Sequence, residues 1–203
     1  VRKIEGLSVG TTAPLILRGK VQAASWSPGK GVDETARLPM MLQDLYRSDP
    51  LLGPAFARGL ETEAMAETAM ASQASGSAMG GGVQNRGGVE TARKLGSTLG
   101  GFMIQDGGPQ IAAVSLDGFD THANQPGPIA ARLSAMDAML DGLHTGLGAE
   151  WKDTVVVVVT EFGRTARVNG TGGTDHGTAS TGLILGGALK RGGIVGDWPG
   201  LAD

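Results

Sequence analysis

The chain has 203 residues, with 17 Lys and Arg against 20 Asp and Glu for a formal net charge of -3, and no cysteine. That length suits roughly one domain whose core needs no covalent staple. The charge argues against nucleic acid or an anionic membrane surface as the main partner, and the missing cysteines exclude disulfides, thiolate metal sites and cysteine nucleophiles.

No stretch approaches the ~20 apolar residues that span a bilayer. The start Val1-Arg-Lys-Ile4 has neither an initiator Met nor a full apolar signal region, as a mature or truncated chain would show. Thirty-five glycines against eight aromatic residues, concentrated in the intervening segments, point to loop geometry more than aromatic packing as what this sequence specifies.

In chain order, Ala13-Pro-Leu-Ile-Leu17 and Val21-Gln-Ala-Ala24 read as short extended or irregular pieces between breakers. Leu38, Met41, Leu42 and Leu45 recur at helical spacing within 36–47, and Asp49 followed by Pro50 is a helix N-cap signal, so the two form a helical hairpin. Glu61 to Ala74 favours helix by propensity, up to the Gly/Ser-rich segment 75–88, which reads as a surface loop. Residues 1–88 thus form a helical and irregular N-terminal part, and 89–203 an α/β part of the same domain.

That second part opens with a helix through Leu95, Leu99 and Phe102, followed by the strand Ile111 to Leu116. Ile129, Leu133, Met136, Leu140, Leu143 and Leu147 mark one face of a long helix, which Gly142 and Gly146 interrupt late. Val155 to Thr160 carries five consecutive valines, as a central strand covered on both faces would, and Thr181 to Leu185 reads as a further strand. This alternation predicts an α/β fold with a mostly parallel or mixed sheet flanked by helices.

Chemistry gathers just beyond these strands. Asp117, Asp120 and His122 fall within six residues, close enough for two or three of them to face one point, and carboxylate with imidazole suits Zn, Mn, Fe or, with more carboxylates, Mg and Ca. The competing reading makes the two aspartates turn caps and His122 a hydrogen-bonded surface histidine. Glu161 at the end of the valine run is either a metal ligand or the partner of Arg164 or Arg167 in an ion pair, and Arg164 is shaped to anchor a substrate anion.

Asn169 to Thr178 is glycine-rich and resembles a backbone anion nest, although no helix clearly begins there. Its Asp175-His176 pair places carboxylate beside imidazole, with Asp175 a ligand or the group that orients one. Asn169-Gly-Thr171 also fits a glycosylation sequon, a match too short to carry weight. His144, near the end of the long helix, is read as structural.

Together, Asp117-Gly-Phe-Asp-Thr-His122, Thr160-Glu-Phe-Gly-Arg164, Gly173-Thr-Asp-His-Gly177 and Gly193-Ile-Val-Gly-Asp-Trp-Pro199 resemble the C-terminal half of bacterial domain-of-unknown-function family 1501. That family is similar to the alkaline phosphatase and sulfatase superfamily. The resemblance implies an alkaline-phosphatase-like fold, complete or in part, with one or two divalent metals, acting on phosphate or sulfate esters of small molecules or glycans. By the same resemblance, Asp117 or Asp120 with His122 matches the superfamily's Asp and His metal pair, Glu161 stands where many members carry Asp, and His176 where a late histidine completes the site.

Phe162 stands where a ligand histidine is usual, and the superfamily's nucleophile has no recognisable counterpart. A non-catalytic exported binding protein of the same fold is therefore the alternative to a hydrolase. Related proteins often carry a twin-arginine export signal, which implies a periplasmic or exported location, although this chain contains no such signal. The oligomeric state is left open.

Overall fold

The computed structural model describes residues 6–10, 14–17, 19, 23–28, 37–74, 86–196 and 200. The expectations for Ala13, Val21 and Gln22, for the Gly/Ser-rich residues 75–85 and for Asp197-Trp-Pro199 lie outside the described residues. The chain is α/β. It divides into two compact units, Val1–Leu116 with Ala138–Leu147, and Asp117–Asp137 with Gly148–Asp203.

The first unit is built on a parallel sheet of three strands, β1 (Gly6–Val9), β2 (Ala23–Trp26) and β3 (Ile111–Val114), in the order β2-β1-β3. Gly6 lies opposite both Ala23 and Ile111, and the register runs on through Val9, opposite Trp26 and Val114. All four β1 residues are buried, so the strand is covered on both faces although Gly6 and Ser8 alternate with Leu7 and Val9. This strand was not among those expected from the sequence. Leu15–Leu17, expected to be extended or irregular, closes a single 3₁₀ turn.

Helix α1 (Arg37–Tyr46) lies within the expected segment. Asp49 caps the next helix as expected, its Oδ1 accepting from the Leu51 and Leu52 amides at 2.8 and 2.7 Å. The helix that follows, α2 (Leu52–Ala74), is continuous, so the Asp49 start and the Glu61–Ala74 segment belong to one element.

Helices α3 (Arg86–Met103) and α4 (Pro126–Leu147) complete the set, the latter giving Ala138–Leu147 to this unit. Gly142 and Gly146 do not interrupt α4. A Cβ on Gly142 would collide with the Arg93 carbonyl and one on Gly146 with the Ser97 carbonyl, while Cβ atoms on Gly96 and Gly100 would strike α4 backbone at Met139 and at Gly146 and Leu147. Two glycine pairs at four-residue spacing thus let two helix backbones approach closely, and an Arg93–Asp141 ion pair spans the same contact.

The core of this unit includes Leu7, Val9, Trp26, Leu99, Phe102, Met139, Leu143 and Leu147, with the Trp26 and Phe102 rings 6.4 Å apart. Burying a side chain such as Leu7 or Phe102, at most 1% exposed, contributes about 1.5–3 kcal/mol.

The second unit holds two antiparallel pairs. β4 (Val156–Val158) pairs with β7 (Leu183–Leu185), and β5 (Gly163–Val168) pairs with β6 (Thr174–Gly177). The valine run is therefore not a central strand covered on both faces. Its side chains alternate, and Val155, Val157 and Val159 are 51%, 58% and 70% exposed. β-branching fixed the extended backbone without specifying what covers it, and β7 joins β4 antiparallel rather than in a parallel sheet. The Asn169 to Thr178 segment is the turn and second strand of the β5–β6 hairpin, whose register is irregular between Arg164 and Val168.

Candidate functional site

The site lies wholly in the second unit, where the loop after β3 meets the β5–β6 hairpin. Two features bring them together. Ala123 bridges to Gly172, and the Thr174 amide donates to the Thr121 carbonyl at 3.4 Å, which lays the 119–125 loop along the turn. A Cβ on Gly173 would collide with the His122 backbone, so only glycine allows that approach.

Three of the expected residues converge. One ligand atom from each of Asp120, His122 and His176 lies within 4.8 Å of the other two. Asp120 Oδ1 is 3.0 Å from His122 Nε2 and 2.9 Å from His176 Nε2. The imidazole rings stack at 5.0 Å between centroids and 27° between planes.

The same Asp120 oxygen accepts from Arg164 Nη2 at 2.6 Å. Arg164 also donates to the Thr174 carbonyl through Nη1 at 2.5 Å and to the Phe119 carbonyl through Nη2 at 3.1 Å, with only 20% of its side chain exposed. It pairs with Asp120 rather than Glu161. Three intramolecular acceptors leave one Nη1 hydrogen and the Nε hydrogen for any external anion.

Asp175 stands behind His122, its Oδ1 3.3 Å from Nδ1, while Nε2 faces Asp120. Of the two roles open to it, ligand or orienter, this is the geometry of the second. Asp117 and Glu161 are exposed and do not join the group of three. Glu161 sits in a bend after β4, where solvent carries its charge, so the cost of a buried strand-end carboxylate never arises.

Both central carboxyls are held below the usual carboxylate range. For Asp120 the main cause is the hydrogen bond from His176, aided by the charges of His122, His176 and Arg164. For Asp175 it is the hydrogen bond from Asn169, then that from His122.

A carboxylate only accepts, so each His122 nitrogen that faces one, Nδ1 at Asp175 and Nε2 at Asp120, must either carry a hydrogen or share a cation with it. At the Nε2 to Asp120 contact, 3.0 Å long, either a ring proton or a metal ion can fill that role. One oxygen and two imidazole nitrogens form a borderline donor set that suits Zn or Fe better than Mg or Ca, and three protein ligands leave coordination positions open.

Residues 5–203 match the family described as "Protein of unknown function (DUF1501)". The chain belongs to this family. No curated protein and no solved structure matches it. The fold brings three motifs of this family member to one place: Asp120 to His122, Phe162 to Arg164, and Asp175-His176.

The residue reading missed three contributors. Phe162 stacks on His176 at 4.7 Å with planes 1° apart, and the Arg164 guanidinium lies 5.0 Å from the centre of the same ring. Asn169 bridges His122 and Asp175, as described below. Thr121, between two of the three converging residues, is buried with its hydroxyl unpartnered, an uncommon state for a native side chain. For Phe162 and Asn169 a signal existed, since both lie within or beside the motifs. Thr121 lies inside the Asp117 to His122 motif as well, but its residue type singled it out for no role.

Proposed function

We propose that this chain is a metal-dependent hydrolase of phosphate or sulfate esters, with Asp120, His122 and His176 holding one divalent cation. The observation that carries the reading is the apposition of the His122 and His176 Nε2 atoms on one Asp120 oxygen, with Asp175 behind His122. The carboxylate behind a ligating imidazole is the arrangement that fixes ring orientation and raises basicity in metal sites. Resemblance to the alkaline phosphatase and sulfatase superfamily supplies the ester class.

In this reading Asp120 offers the anionic ligand and Arg164 holds it in place, with its guanidinium the candidate anion contact. Asp175 keeps the proton on His122 Nδ1. The cation, once bound, supplies the Lewis acidity that stabilises developing charge on the ester oxygens. Zn, Fe and Mn fit the donors better than Ca or Mg. An exported, periplasmic location remains part of the proposal on the family resemblance, and cell fractionation tests it.

The test is hydrolysis of aryl phosphates and aryl sulfates by protein loaded in turn with Zn, Mn and Fe, beside Asp120→Asn and His176→Ala. Turnover that needs metal and disappears in both variants supports the proposal. Full metal occupancy with no turnover on either ester class defeats the hydrolase and leaves the second reading, a non-catalytic anion-binding protein. That alternative draws on Phe162, which stacks on His176 where the superfamily has a further ligand histidine.

A further inference from the structure

Asn169 occupies the turn between β5 and β6 and engages five groups through one carboxamide. Its Oδ1 accepts from the Thr171 and Gly173 amides, both at 3.0 Å, and from the Thr171 hydroxyl at 2.9 Å. Its Nδ2 donates to the His122 carbonyl at 2.9 Å and to Asp175 Oδ1 at 3.0 Å. The orientation of the amide is not arbitrary. Backbone N–H groups can only donate, so the end facing Thr171 and Gly173 must be oxygen, and the nitrogen must face the carbonyl and the carboxylate.

The two halves of this side chain do different work. The oxygen closes the hairpin turn on itself. The nitrogen ties that turn to the 119–125 loop and fixes the carboxylate that faces His122 Nδ1, an oxygen that accepts from Asn169 and His122 together. Thr171 adds a second tie, its single hydroxyl hydrogen shared between Asn169 Oδ1 and the His122 carbonyl, the latter at 2.7 Å.

We infer that Asn169 is a positioning residue of the candidate site: by donating to His122 O and to Asp175 Oδ1 it holds Asp175 against His122 Nδ1 and so presents Nε2 toward Asp120. As far as it concerns metal, the inference rests on the proposed cation at Asp120, His122 and His176. For the geometry of His122 it stands without one. A residue that merely closed a turn would affect stability. Asn169 acts on how the His122 ring is held between Asp175 and Asp120 and on how tightly the site binds.

The experiment separates the halves. Asn169→Asp keeps an oxygen for the turn but removes both N–H donors and sets a carboxylate against Asp175, whereas Asn169→Ala removes both functions. Two readouts are taken on each variant and the parent protein: Zn²⁺ affinity by competition with a chromophoric chelator, and the imidazole ¹⁵N shifts of His122 in metal-free protein.

The expected result for Asn169→Asp is Zn²⁺ binding about 10–100-fold weaker, a typical loss for a group that orients a ligand. His122 Nδ1 should also lose its hydrogen-bonded signature, with the melting temperature near that of the parent. Parent-like Zn²⁺ affinity and unchanged His122 shifts would overturn the inference. If the parent itself binds no Zn²⁺, the metal reading fails, and the His122 shifts alone decide the role of Asn169. Should Asn169→Asp not fold, Asp175→Ala breaks the same link, and unchanged His122 shifts in that variant overturn the inference equally.

Discussion

The two units hold their important side chains by different means. In the first, Leu7, Phe102 and Leu147 are at most 3% exposed, and the α3–α4 contact is so tight that glycine is required on both helices. In the second, Asp120, His122 and His176 keep 55%, 48% and 54% of their side chains exposed and are placed by hydrogen bonds radiating from Asp120, Asp175 and Asn169. Burial fixes a fold but leaves no lone pair for a ligand. Polar anchoring at the surface contributes little stability and keeps nitrogen and oxygen available. Substitutions in the first unit should therefore move stability, and those in the second should move binding.

The largest expected effect would break the first half of that comparison. Phe102→Ala should cost about 3–5 kcal/mol by emptying a buried site, read from denaturant midpoints at constant slope. Gly142→Val should cost about 1–3 kcal/mol or prevent folding, because its side chain meets the Arg93 carbonyl and not a flexible neighbour. Loss of less than 0.5 kcal/mol in either would mean that the α3–α4 packing is not as tight as described.

The second half predicts the converse for the site. His176→Ala should abolish tight binding of a divalent cation while the thermal midpoint of the metal-free protein stays within a few degrees of the parent, because the ring is more than half exposed. A large drop in that midpoint would recast the cluster as a structural network.

Smaller still is the effect of acid. Asp120 and Asp175 have lowered values in the folded chain, so their stabilising contribution is complete above the ordinary carboxylate value of 3.8 and is lost as pH falls through the lowered values. Asp49 behaves in the same way through its bonds to Leu52 and Leu51, and belongs to the first unit. Acid titration should therefore show Asp49→Ala flattening the pH dependence only slightly, and Asp120→Asn with Asp175→Asn flattening more of it. Equal slopes in all three proteins would contradict the assignment.

The fold was legible where local chemistry decides the outcome. The spacing of Leu38, Met41 and Leu45, the Asp49 cap and the apolar face of α4 all placed helices correctly. It was illegible where the partner decides. Gly-Leu-Ser-Val in β1 is a strand because β2 and β3 flank it, and the valine run names no partner, so its pairing with β7 and its exposed face could not be read from β-branching. Gly142 and Gly146 looked like helix breaks because the Arg93 and Ser97 carbonyls that require them lie about fifty residues away in sequence.

The site divides along the same line. Residue types and order singled out Asp120, His122, Asp175, His176 and Arg164, because carboxylates and imidazoles in short loops are few. Their mutual geometry depends on the bridge between Ala123 and Gly172, which no motif announces. The role of Asn169 was not legible either, because its partners His122 and Asp175 are set by the fold and not by the tripeptide around it.

The most direct test of the central claim is elemental analysis of the purified protein beside His122→Ala and His176→Ala. One equivalent of Zn, Fe or Mn in the parent, lost from both folded variants, is the predicted result. A parent that takes up none of these ions when they are supplied, or variants that retain full occupancy, would contradict a cation held by Asp120, His122 and His176.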